Sequence, residues 1–193
     1  MKENCLINNE DFEKLGMKIP STDGLKVHMT GYTKDTIYKN GVLVDVIEGH
    51  NLVVNSFLNL VMCLLKKQSG YTGIQYWAIG SGASSWDTEL PSPELGATRL
   101  TNEIGRIVIP DSEVAFLDKE YNVVESPTNI LQITHTFGAS DCNGVWREFG
   151  IFGGNATENL NSGIMINKRH HKVITKTEDM TVERIMRFTL NLS

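Results

Sequence analysis

The chain has too few cysteines to be held by a disulfide framework. There are three, Cys5, Cys63 and Cys142, an odd number without metal-ligand spacing, so free thiols are the expected state. Long apolar runs are also missing. None reaches the roughly 18 residues of a membrane span, and Met1–Glu10 holds no apolar core of signal-peptide length. A cytosol-like compartment is therefore expected, and the sequon Asn155-Ala156-Thr157 reads as accidental. Positive charge is in deficit: 18 Lys and Arg against 23 Asp and Glu leave a net charge of -5, which argues against broad nucleic-acid binding. Catalytic motifs are lacking too. The sequence has no serine elbow, phosphate-cradling glycine loop, paired cysteine site or metal-binding histidine helix, and Gly80-Ser81-Gly82 lacks the third glycine and downstream helix of a dinucleotide fingerprint. Without internal repeats or low-complexity tracts, solenoid, coiled-coil and full-length receptor-fibre readings lose their basis.

What is present suits one folded domain. A chain of 193 residues can bury about 70% of the surface its unfolded form exposes. Residues 1–23 are polar and close on Ile19-Pro20-Ser21-Thr22-Asp23-Gly24, a pattern expected of an arm ending in a turn, with the domain running from 24 to 193. Leu25, Val27 and Met29 alternate, Asn40-Gly41 marks a tight turn, and Val42, Val44 and Val46 alternate again, which predicts a β-hairpin. Phe57, Leu58, Val61, Leu64 and Leu65 recur at helical spacing behind Asn55 or Ser56 as cap, with Met62 and Cys63 filling gaps. This predicts a helix over about 56–67 packed on the sheet. Strands are expected at 74–79, 104–109, 113–117, 121–124 and 130–137, and the last begins near 181, with Val182, Met186, Phe188, Leu190 and Leu192 on one face and only Arg184 interrupting it. The expected fold is mainly β, an antiparallel β-sandwich with one packed helix.

Chemistry-bearing residues were weighed against structural roles. His170 and His171, flanked by Lys168, Arg169 and Lys172, point to opposite strand faces and cannot easily share one ion, so the run reads as a solvated basic edge strand, with contact to a phosphate, a nucleic acid or an acidic partner as the alternative. His135 shares an apolar face with Leu131, Ile133 and Phe137 and reads as a hydrogen-bonded core residue. His28 and His50 have no companions. Asp87, Glu89 and Glu94 lie in one loop without the spacing of a calcium loop. Trp86, in the Ser- and Pro-rich loop 80–93, suits a partner interface or a sugar-stacking platform, whereas Trp77 and Trp146 read as core. No cofactor or metal is expected.

Trp146-Arg147-Glu148-Phe149-Gly150-Ile151-Phe152-Gly153-Gly154 places large apolar groups on both faces of one strand, so it should be covered on both sides. Glu148, beside Trp146, then needs a cationic or donor partner, for which Arg106 and Arg184 are candidates. The same run, preceded by Ile130–Phe137 and Gly138-Ala139 and followed by Gly163-Ile164-Met165, resembles the C-terminal half of small tailed-bacteriophage virion proteins of the tail-fibre or baseplate type. His50–Asn55 before the helix, Trp77–Gly82 followed by Asp87–Leu90, and Leu100–Glu103 fit the same pattern, so the resemblance spans about 24–193. Met1–Asp23 and Pro110–Thr128 depart from it. The resemblance implies a non-enzymatic structural subunit, assembled in the host bacterial cytoplasm and resident in the virion. Its partners would be its own copies, in a trimer or symmetric ring, and other virion proteins, with no nucleic acid or membrane. A capsid decoration or head-fibre protein and a receptor module for a host surface glycan are the alternatives. Interface candidates are Trp86, Leu90, Arg169 and His170; core candidates are Trp146, Glu148, Phe149, Phe152 and Arg184.

Overall fold

Asn40 and Gly41 both have positive φ, 49° and 76°, which is the backbone a two-residue hairpin turn demands. They join strands β1 (Val27–Lys39) and β2 (Val42–Val53), longer than their alternation alone predicted. The computed structural model describes residues 27–192; the expected arm and Leu25 lie outside the described residues. Helix α1 (Ser56–Leu65) follows, then β3 (Thr72–Gly80), β4 (Glu103–Val108), β5 (Val114–Leu117), β6 (Val123–Val124), β7 (Ile130–Phe137), β8 (Gly144–Gly154), β9 (Ile164–Lys176) and β10 (Met180–Leu192). The described residues are mainly β with a single α-helix, as the sequence indicates.

All ten strands belong to one antiparallel sheet in the order β4-β3-β8-β9-β2-β1-β10-β7-β5-β6. The segment Pro110–Thr128, which the resemblance left without a role, supplies β5 and β6 at one end of it. Strand β2 belongs to both wings: Gly31–Lys39 of β1 pair along it, while its last two residues, Leu52 and Val53, pair with Lys168 and Asn167 of β9. The sheet curls there, bringing the wings face to face. Trp77 of β3 and Trp146 of β8 meet Phe137 of β7 at ring-centroid distances of 6.2 and 5.1 Å, edge to face. Along β10 the expected alternation holds, with Val182, Arg184, Met186 and Phe188 inward.

The helix departs from its expected orientation. Its buried residue is Leu60, with Phe57 and Val61 half-buried, whereas Leu58, Met62 and Leu65 are exposed by 65, 64 and 72%. Met62 thus fills no gap. Both helical faces are apolar, and periodicity alone cannot say which meets the sheet. Asn55 stands at the N-cap as expected but makes no side-chain capping hydrogen bond, and the Ser56 hydroxyl donates to the Met165 carbonyl at 2.7 Å, tying the helix to β9. Cys63 and Cys142 are free thiols. Burial first, then Asp141, pushes the Cys142 thiol up to about 11.

Candidate functional site: buried charges and the loop they hold

Strand β8 lies between β3 and β9 and is covered on both faces, by Phe137 and Arg184 against Trp146 and Phe149 and by Val54 and Leu100 around Phe152. Trp146, Glu148, Phe149 and Phe152 are all fully buried. Glu148 does need partners, but they are not the arginines suggested by the sequence. Its Oε2 is 3.0 Å from Lys168 Nζ and 3.8 Å from His170 Nε2, and its Oε1 accepts the Asn102 N–H at 2.9 Å. Burial pushes the Glu148 carboxyl up, yet the amides of Asn102 and Thr101 together with Lys168 hold it below the usual carboxylate range. Arg106 is engaged elsewhere. It grips Glu103 with two hydrogen bonds, at 2.7 and 3.0 Å, and reaches the Thr157 carbonyl at 2.7 Å, so it fastens loop 155–163.

Lys168 and His170 face Glu148 because β9 is an interior strand, and the expected solvated basic edge is corrected accordingly. Lys168, Arg169 and His171 are 6, 5 and 2% exposed. Arg169 is therefore no surface interface residue. Its guanidinium lies over Gly49, where a Cβ would sit 2.7 Å from Nη2. His170 is covered by Trp86, whose ring stacks on it with centroids 4.1 Å apart. The Nδ1 of His170 pairs with the Pro91 carbonyl at 2.8 Å.

These contacts place residues 81–102 on their own sheet. Arg147 clamps Asp87 through two 2.7 Å hydrogen bonds and donates to the Ser81 carbonyl, while Lys168 donates to Thr101 Oγ1 at 3.2 Å. Trp86 also packs against Gly82, whose φ of 54° and lack of a Cβ admit the indole. The tryptophan thus anchors its loop in cis, and Leu90 and Leu95 are the large apolar residues this loop leaves outward, 45 and 56% exposed. Glu148→Ala should cost about 2 kcal/mol, less than a sealed pair because the flexible Lys168 stem can carry its charge toward water. Amide hydrogen exchange should show residues 81–102 losing protection before the strands do, and uniform loss across the domain would refute a local role.

The second centre is Asp35–Arg184, a fully buried pair across β1 and β10 with hydrogen bonds of 2.6 and 2.9 Å. The Arg184 guanidinium lies 3.9 Å from the Phe149 ring centroid and within 5.8 Å of those of Trp77, Phe137 and Trp146. Burial pushes Asp35 up, but Arg184 outweighs it and holds the carboxyl below its usual range. His171, beside them, is lowered to about 4, by burial first and then by Arg184. Two further polar contacts close the list. His135 Nδ1 meets Glu113 at 2.9 Å, and the nearly buried Lys176 donates to the Gly138 carbonyl at 2.6 Å and Asn143 Oδ1 at 2.8 Å.

Asp35 and Lys176 do not stand out in the sequence, and Lys168 does so only by its place in a basic run that reads as a solvated edge. Asp35 was the most accessible of them: once Arg184 stands alone on the apolar face of β10, its counter-ion belongs on a neighbouring strand, and Gly31, Thr33, Asp35 and Ile37 share the buried face of β1. Among the described residues no group of three or more His, Cys, Asp or Glu converges as a metal site, and no helix is long and apolar enough to cross a membrane. No protein-family model matches the chain, and no curated protein matches it.

Proposed function

We propose that this chain is a non-enzymatic structural subunit of a tailed-phage or phage-tail-like virion, at the baseplate or tail-fibre attachment, acting through protein–protein interfaces. The observation that carries this reading is where apolar surface has been left. Val42, Leu43, Val44 and Val46 on β2 and Leu58, Met62 and Leu65 on α1 are exposed by 42 to 72%, grouped on two regular elements. Grouped exposed apolar side chains on rigid elements are the usual mark of association surfaces. The charged clusters meanwhile fasten loops and strands to each other. Symmetric self-association into a trimer or ring would bury these residues. Light scattering on the purified protein, with fractionation of the particles it accompanies, tests the reading. A defined oligomer found on tails supports it, whereas a monomer bound only to heads would favour a capsid decoration or head-fibre protein.

One observation favours a second reading, a receptor module for a host surface glycan. A cleft of about 710 Å³ separates β3 and β4 from β5 and β7, and Tyr76, Phe116, Gln75 and Asp111 line it. Aromatic faces beside hydrogen-bonding side chains suit a sugar ring. Specific glycan binding abolished by Tyr76→Ala would establish this role, and silence across host surface glycans would dismiss it.

A further inference from the structure

The free side of β2 is a strand edge without a strand. Among the described residues nothing pairs with it between Val42 and Asn51, because β9 joins it only at Leu52 and Val53. Such an edge carries unpaired N–H and C=O groups, and proteins ordinarily guard it with lysine, proline or a bulge. Here residues 42–47 contain no lysine and no proline, and the irregularity near Val44 is the one guard. Asp45 and Glu48 on this strand are roughly half-exposed, each in a loose ion pair with a lysine of the same chain, Lys172 at 3.8 Å and Lys34 at 3.7 Å, which exposed charges exchange readily.

The chain itself contains a matching sequence. Glu13-Lys14-Leu15-Gly16-Met17-Lys18-Ile19 alternates with period two: Leu15, Met17 and Ile19 share one face and Lys14 and Lys18 the other. On β2, the register with β1 places Asp45 and Ile47 on the side of buried Asp35 and Ile37, while Val46 and Glu48 lie on the outer side with Thr36 and Lys34. Setting the apolar face of 15–19 on the inner side beside Ile47 brings its lysines to the outer side, toward Glu48.

Strand direction decides whose segment this is. Ile47 lies opposite Asp35, eight residue steps along β1 from Val27, which is about 26 Å, and the far side of β2 adds two strand spacings, about 10 Å. The direct span is about 28 Å, and the eight steps from Ile19 to Val27 cover about 28 Å only when fully extended. With Ile19 beside Ile47 a chain's own segment would reach without slack, and with Met17 or Leu15 there it would reach only parallel to β2, since an antiparallel course carries Ile19 farther from Val27 than eight residues span. A neighbour's segment can lie antiparallel, the slightly more stable pairing. Building on the assembly reading above, we propose that residues 14–19 of one copy add as a strand to the β2 edge, around Leu43–Glu48, of the next copy. This arrangement is heterologous and closes as a ring when its rotation permits.

The test uses the full chain, with sedimentation equilibrium and concentration-dependent amide exchange on the wild type, Val46→Lys and Met17→Lys. Each substitution should weaken self-association about tenfold or more, and the double variant should weaken it little further, because both remove one contact. Wild-type amides at 42–48 should gain protection as concentration rises, and the gain should vanish in Met17→Lys. Should Val46→Lys fail to fold, Met17→Lys still decides the matter. Oligomers unchanged in both variants would overturn the docking and leave the assembly reading standing. Concentration-independent protection that Met17→Lys removes would mean a contact within one chain, which also overturns it. A wild type that stays monomeric at every concentration would remove the assembly reading and this inference together.

Discussion

Arg184→Ala should destabilise the domain by about 4 kcal/mol, a large share of the 5–15 kcal/mol available to a domain of this kind. The loss has two parts. Asp35 keeps its carboxylate in a fully buried position with its two hydrogen bonds gone, and four aromatic rings lose the planar cation they surround. The measurement is urea unfolding at neutral pH. Combining Arg184→Met with Asp35→Leu should recover most of the loss, since replacing both members of a buried ion pair with apolar groups removes the desolvation cost together with the attraction. A single variant costing less than about 1 kcal/mol would mean that water reaches Asp35 in the native protein. A double variant no better than the single would mean that the pair fixes the meeting of β1 and β10 in a way shape alone cannot replace.

Acid should weaken the protein well before its carboxylates titrate, by about 3 kcal/mol between pH 6.5 and 4, because His171 is buried neutral. The sign follows from proton counts. In the unfolded chain the imidazole protonates near pH 6.5, while in the folded protein it does so only at about 4. Between those values the unfolded state holds more protons, so stability falls as pH falls. The groups facing His171 are Asp35 on β1, Arg184 on β10 and Arg169 on its own strand, and the two arginines outnumber the carboxylate. A second decline should follow at lower pH as Asp35 and Glu148, both held below their ordinary values, take up protons. Chemical denaturation repeated across this range should show the first decline flattened in His171→Leu and the second retained. An unchanged profile in that variant would assign the acid sensitivity to other groups.

The architecture was legible where one periodicity had one consequence. Alternation found β7 and β10, Asn40-Gly41 found the first hairpin, and two apolar faces on Trp146–Phe152 found an interior strand. The sequence failed where a residue's role depends on which strand lies beside it. Lys168–Lys172 reads as an edge by composition. Apart from the exposed Lys172, its charges are inside because β8 on one side and Trp86 with its loop on the other supply Glu148, carbonyls and a stacking ring. The partner of Glu148 was misassigned for the same reason, since cross-strand neighbours are fixed by register, which local sequence does not state. The helix was found but its buried face is turned from Leu58 and Leu65 toward Leu60, because apolar residues around most of its circumference leave periodicity without a single answer.

The pairing of β1 with β10 joins Val27 to Leu192 and Asp35 to Arg184, partners 149 residues apart in the chain. At roughly 5–20 residues per second, a ribosome completes the arginine some 7–30 seconds after the aspartate. Throughout that interval β1 and β2 can form their hairpin, but the inner face of β1 has no neighbour and its carboxylate no counter-ion. Such a nascent chain is open to premature pairing with other copies, and slow closure is expected of a topology dominated by distant partners. Translation speed across residues 40–184 is therefore a determinant of soluble yield that no property of the finished fold would reveal.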